Sequence, residues 1–111
     1  MKKVILCLLV VLGFSSYGQQ SIYTDNDGDG VIEYTLQDKS GNILERGYYY
    51  NGKMYGTWTS FFPNGKKQMA AKFKDGKRNG TWFIYDLQGR ITFQIVYKDG
   101  FKVSASENRY N

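Results

Sequence analysis

The chain has no histidine, one cysteine and one proline among its 111 residues. Without histidine it lacks the side chain that most often moves protons near neutral pH and most often binds metals. Cys7 alone cannot form an internal disulfide, which needs two thiols. Long apolar runs are also scarce. The single one, Val4 to Phe14, is eleven residues long, against the roughly 20 that a membrane-spanning helix needs. Apolar and polar residues at a helical period are missing as well. These absences exclude zinc-finger scaffolds, histidine-based catalysis, disulfide-stapled folds and helical bundles.

The N-terminal stretch "MKKVILCLLVVLGFSSYGQQ" has the layout of an export signal. Lys2 and Lys3 form a charged start, Val4 to Phe14 an apolar middle, and Ser16-Tyr17-Gly18 a small-residue cleavage site, with cleavage expected before Gln19. A retained membrane anchor is the alternative. Cys7 lies inside the apolar run rather than after it, which speaks against a lipid anchor. Cleavage leaves 93 residues with neither cysteine nor histidine and lowers the formal charge from +5 to +3. One small domain is expected, held by strand pairing and aromatic burial, in the periplasm or outside the cell. The mild basic bias does not by itself argue for nucleic acid. The expected layout is a signal over 1–18, a flexible acidic lead-in over 19–30, a repeat domain over 31–104 and a tail over 105–111.

Glycine and aromatic residues, in contrast, are plentiful and regularly spaced. "YNGKMYGTW" (Tyr50 to Trp58) nearly recurs as "KDGKRNGTW" (Lys74 to Trp82), 24 residues on. At the same offset, glycine falls at Gly41, Gly65 and Gly89, and again at Gly52, Gly76 and Gly100. Aromatics fall at Tyr34, Trp58 and Trp82, and at Tyr49, Phe73 and Tyr97. Matched positions at a fixed period mark an internal repeat. Asn51-Gly52, Asn64-Gly65, Asp75-Gly76 and Asp99-Gly100 favour tight hairpin turns, with Ser40-Gly41 and Gln88-Gly89 as weaker versions. An all-β fold is predicted: an antiparallel hairpin meander of about six strands built from 24-residue repeats.

Two-residue turns at these dipeptides fix the expected pairing. Ile84 lies opposite Phe93, Trp82 opposite Ile95, Trp58 opposite Ala71, Ser60 opposite Met69 and, through Asp75-Gly76, Trp82 opposite Met69. An even period keeps equivalent residues on one side of a pleated sheet. Trp58, Phe73, Trp82 and Tyr97 then share an apolar face as structural anchors. The wetter face carries Phe61, Lys72, Phe83 and Tyr85, a candidate contact surface. A single sheet cannot bury an apolar face against nothing, so it must curl, or be covered by its own ends, a second copy or a partner.

The phrase Y/F-x-x-G-K-x-x-G-x-W in "YYYNGKMYGTWTSFFPNG" and "KFKDGKRNGTWFIYDLQG" resembles a MORN-type repeat. More narrowly it is similar to the bacterial variant found in short exported proteins and in proteins labelled as YwqK-type antitoxins. "VYKDGFKVS" is a degenerate third ending, with Phe101 and Ser104 in place of the lysine and second glycine. The resemblance spans roughly residues 34 to 103 and implies a β-hairpin repeat that makes contacts rather than catalyses. An antitoxin role would imply a cytosolic toxin as partner, which conflicts with the export signal.

Other motifs are weaker. In "DNDGDGVIE", Asp25, Asp27 and Asp29 match the first ligand positions of a calcium loop, with Glu33 at the ninth. Leu36 stands where the closing glutamate belongs, so the stretch reads as a flexible acidic lead-in, with a weak calcium site as the lesser alternative. Lys66, Lys67, Lys72, Lys74, Lys77 and Arg78 crowd the second repeat. They suit a solvated, aggregation-resistant rim or an anion- or glycan-binding patch. No catalytic constellation and no organic cofactor are expected. The expected partner is another protein, or a second copy through the apolar face.

Overall fold

Turn chemistry sets the path of the chain. The computed structural model describes residues 8–14, 18–25 and 28–110. Asn51, Asp75 and Asp99 adopt φ of 52°, 52° and 50°, each followed by a glycine at positive φ. Two successive positive φ values define type I′ turns, whose twist matches that of the flanking strands. Asn and Asp tolerate this region better than other residues with a β-carbon.

The other three glycine turns are built differently. In Asp38–Asn42, Phe62–Lys66 and Asp86–Arg90, the first N–H donates to the carbonyl of the fifth residue, at 2.9, 2.8 and 2.9 Å. Gly41, Gly65 and Gly89, fourth in each loop, donate back to the carbonyl of the first. These are longer loops closed by a left-handed glycine, not the two-residue turns expected at Ser40-Gly41, Asn64-Gly65 and Gln88-Gly89. The side chains favour the longer form. Asp38 Oδ1 accepts from the N–H groups of Ser40 and Asn42, Asp86 Oδ1 from Gln88 and Arg90, and Asn64 Oδ1 from Lys66. Such Asx contacts compete well against a tight turn.

Ten strands lie among the described residues: β1 (Leu8–Phe14), β2 (Gln20–Asp25), β3 (Val31–Gln37), β4 (Ile43–Tyr50), β5 (Lys53–Phe61), β6 (Lys67–Lys74), β7 (Lys77–Arg78), β8 (Gly80–Tyr85), β9 (Ile91–Lys98) and β10 (Phe101–Glu107). All pairs are antiparallel and follow chain order, with β7 an offshoot beside β6. The fold is an all-β meander in one sheet that does not close into a barrel. It measures 52 × 33 × 27 Å. Since a single layer is only about 10 Å thick, the smallest extent reflects strong twist. Gln20–Asp25, expected in a flexible lead-in, is strand β2 because Ser21, Ile22 and Tyr23 pair with Leu36, Thr35 and Tyr34.

The pairings Trp58↔Ala71, Ser60↔Met69, Trp82↔Ile95 and Ile84↔Phe93 are all present. Trp82 opposite Met69 is not: Met69 faces Ile84. The displacement arises between Phe73↔Arg78 and Ala70↔Phe83, where Gly80 bends the chain at φ +98°. An equivalent slip separates Tyr48↔Tyr55 from Arg46↔Thr59, where Gly56 has φ +70°. In each, two extra residues are accommodated, so the strand leaves the bulge with its faces unchanged. The third copy, with Ser104 in the glycine's place, slips by one between Lys102 and Ser104. Its faces are therefore exchanged beyond that point.

Candidate interaction surface

The side chains on one face form a continuous ladder of rings. Tyr23 and Tyr34 are 5.2 Å apart between centroids, Tyr34 and Trp58 5.3 Å, Trp58 and Phe73 6.2 Å, Phe73 and Trp82 5.3 Å, and Trp82 and Tyr97 4.8 Å. Tyr49 meets Trp58 edge-on at 5.2 Å. The predicted anchors Tyr34, Tyr49, Trp58, Phe73, Trp82 and Tyr97 thus stand in one row. The Arg78 guanidinium lies 5.5 Å from the Trp82 ring and 5.4 Å from Tyr97. That geometry gives a cation–π contact of about 0.5–1 kcal/mol at an exposed site.

Both tryptophans also secure the bulges. Trp58 Nε1 donates to the Tyr48 carbonyl at 3.1 Å, and Trp82 Nε1 to the Lys72 carbonyl at 3.0 Å. A bulge disrupts the backbone ladder, and the indole supplies an additional donor there. This accounts for the repeated G-T-W: glycine makes the slip and tryptophan ties it down.

Trp58 does one thing Trp82 does not. Its ring stacks on Tyr34, from β5 to β3, at an interplanar angle of 25°, across the intervening β4. It can do so because Gly47 lies beneath it. A β-carbon at that position would sit 2.0 Å from Trp58 Cδ2. The equivalent residue under Trp82 is Ala71, and the ring contacts of Trp82 are with Phe73 and Tyr97 on adjacent strands. Over residues 18–25 and 28–110, only Thr35, Gly47, Trp58 and Ala71 are buried. The rest of the ladder is half exposed.

One carboxylate lies within this face. Glu45 accepts a hydrogen bond from the Tyr34 hydroxyl, yet burial outweighs that contact and holds its pKa above the usual glutamate range. Burial also raises Tyr34 and Tyr49, with added repulsion from Glu45 and neighbouring tyrosines. No local signal in the chain marks this cluster, because Glu45 has no repeat partner and sits beside Arg46 in an ordinary strand.

The opposite face holds a groove of about 930 Å³ alongside the two glycine bulges, with Tyr48, Tyr55, Thr57, Lys72, Lys74 and Asn79 among its lining. Tyr55 stands 46% exposed. Its ring pairs with Tyr50 at 5.8 Å. The predicted contact residues are dispersed across this face. Lys72 lines the groove, its stem 3.1 Å from where a β-carbon on Gly80 would lie. Phe83 and Tyr85 pair with each other at 6.4 Å. Phe61 lines a separate hollow with Ile43, Leu44, Arg46 and Pro63. Tyr48 and Tyr55, which supply the groove's aromatic walls, stand in the sequence only as members of the repeat phrase.

The acidic candidates do not converge. Asp25 Oδ1 accepts from the Gly28 N–H and Asp29 Oδ1 from the Val31 N–H, while Glu33 lies 3.9 Å from Arg46. Asp27 lies outside the described residues. Among the described residues, no three acidic, histidine or cysteine side chains group as metal ligands. Asp38 and Asp86 have lowered pKa values, set first by the Asn42 side chain and the Arg90 backbone N–H respectively, which fits their turn role. No helix among the described residues is long and apolar enough to cross a membrane.

The chain matches no protein-family model, and no curated protein matches it.

Proposed function

We propose that this chain is an exported, non-enzymatic MORN-like repeat protein that works as a protein-interaction module. The observation that carries this reading is the open aromatic groove at the bulges. Tyr48 and Tyr55 offer rigid ring surface at low entropic cost, and Lys72, Lys74, Thr57 and Asn79 surround them with hydrogen-bonding groups. Aromatic centres with polar rims are the usual composition of protein contact sites. Export follows from the residue order at the N-terminus. The mature stretch has no histidine or thiol for acid–base or nucleophilic chemistry.

The test is cross-linking of the exported chain in its native envelope, followed by mass spectrometry. A partner captured by the wild type and by Phe93→Ala, on the ladder face, but lost with Tyr48→Ala and Tyr55→Ala supports the reading. Capture indifferent to both tyrosines refutes it. The antitoxin alternative, whose partner toxin would be cytosolic, is tested separately by the same cross-linking on a chain lacking residues 1–18 and kept in the cytosol.

A second reading rests on charge. Lys53, Lys74, Lys77, Lys98 and Lys102 gather at the type I′ turn end of the sheet, and none has an ion pair among the described residues. A polyanion or acidic glycan would suit that rim. Retention on a sulfated polysaccharide that falls steeply with salt and weakens with Lys74→Gln and Lys77→Gln supports it. Retention unaffected by either refutes it.

A further inference from the structure

The two ends of the sheet are complementary in repeat phase. A shift of 24 residues carries β2 onto β4, β6 and β9, and carries β3 onto β5, β8 and β10. The strands thus alternate between two classes. Each long loop joins a strand of the second class to one of the first: β3 to β4, β5 to β6, β8 to β9. β10 belongs to the second class, and among the described residues nothing pairs with its outer edge. The residues after it stay on the β9 side, with the Asn108 N–H donating to Thr92 O and the Tyr110 hydroxyl to Ile91 O. At the other end, β2 is of the first class, and its matching edge is occupied by β1. The same shift carries β1 onto β3, so β1 stands in the place of a second-class strand.

β1 lies within the stretch that reads as a cleavable leader. We infer that leader removal opens the β2 edge, and that β10 of a second copy occupies it, continuing the meander from molecule to molecule. This rests on the export reading above. The contact uses two different edges, so it propagates head-to-tail and need not stop at a dimer. Strand addition draws its affinity from main-chain hydrogen bonds. Register follows from the faces. Ala105 is opposite Ile95 and Tyr23 opposite Tyr34, all on the ladder side. Keeping that side common, and overlapping β2 with as much as possible of β10 beyond its slip, puts Ala105 against Tyr23 and Ser106 against Ile22 of the next copy. The one-residue slip at Ser104 makes this register one residue different from that of the internal seams.

The pairing is tested with the exported chain carrying Ile22→Cys and Ser106→Cys. The mature stretch has no other thiol, and opposed residues in an antiparallel pair lie about 4.5–5.5 Å apart, within disulfide reach. Intact mass establishes where the exported chain begins, and near-UV dichroism that it is folded. A disulfide-linked series of dimers, trimers and larger species is expected, absent for either single cysteine, together with a sedimentation average that at least doubles from low to high micromolar wild-type protein. Four outcomes overturn the inference. A folded chain starting at Gln19 that stays monomeric and uncross-linked removes the edge pairing but leaves the groove reading intact. A closed dimer without larger species removes the head-to-tail arrangement. An exported chain that retains residues 1–18 removes leader release, and the opened β2 edge with it, while a chain that is never exported removes the export reading on which the inference rests.

Discussion

Gly47→Ala is the substitution that most directly tests how this sheet is held together. The added methyl would lie 2.0, 2.3 and 2.4 Å from three carbons of the Trp58 ring, where carbon atoms pack at about 3.5–4.0 Å. The ring must therefore retreat by about 1.5 Å or more. Gly47 is not among the glycines at positive φ, so backbone strain adds nothing and the effect is steric. Ala71 beneath Trp82 shows where the retreat ends. The indole keeps its bond to the neighbouring carbonyl but gives up the stack across two strands. Overpacking costs about 1–3 kcal/mol, and the lost Tyr34–Trp58 stack about 0.5–1.5 kcal/mol. A loss of about 2–4 kcal/mol results, a large part of the roughly 5–15 kcal/mol of a typical domain. Urea unfolding followed by tryptophan fluorescence measures it, and near-UV dichroism reports the stack. In a Trp58→Leu background the same glycine change should cost almost nothing, because the clashing partner is gone. A Gly47→Ala protein within about 0.5 kcal/mol of wild type, the usual scatter of surface substitutions, with its near-UV spectrum intact, would refute the reasoning.

The remaining predictions concern the same face and its bulges. Glu45 has a folded pKa raised above its unfolded value, so its relative stabilisation is complete below about pH 4.5 and is lost as pH rises through the folded pKa. Glu45→Gln should therefore stabilise the protein at pH 7 and be near neutral at pH 3.5, as thermal melts at the two pH values will show. Tyr34 and Tyr49 shift in the same direction, so stability should fall as pH rises above about 10, less so in Tyr49→Phe. Trp82→Phe keeps a ring but loses the bond to Lys72 O, and should cost about 1 kcal/mol in urea unfolding. Gly80→Ala meets both a left-handed φ and the Lys72 stem, and should cost about 1–2 kcal/mol. Lys72→Ala removes the stem but not the φ penalty, so it should recover only part of that loss.

Much of the fold was legible because its signals are local and repeated. Asn51-Gly52, Asp75-Gly76 and Asp99-Gly100 carry their turn type in two residues, and an even period keeps their faces aligned. The bulges were harder to read. Gly56 marks one in the sequence, but whether it absorbs one residue or two depends on where Trp58 finds an acceptor, and that acceptor belongs to another strand. The longer loops were missed for a related reason. Asp38 and Asp86 stand two residues before the dipeptides that attracted attention, and their carboxylates decide the loop. Gly47 and Glu45 have no sequence signature at all. Their roles come from Trp58 and Tyr34 on the neighbouring strands, which no local pattern encodes. The groove was illegible likewise, since its tyrosine walls, Tyr48 and Tyr55, face each other from β4 and β5 next to a slip.

The equivalence of Gly56 and Gly80 makes the molecule modular in length. Excising residues 57–80 would join Gly56 directly to Thr81, place Trp82 over Gly47, and pass the chain on to β9 with every ring still on its own side. Duplicating the same segment would add a rung pair without asking any existing side chain to repack. Such a chain can grow or shrink by whole hairpins through simple gene slippage, and its reach can be tuned by selection independently of its packing.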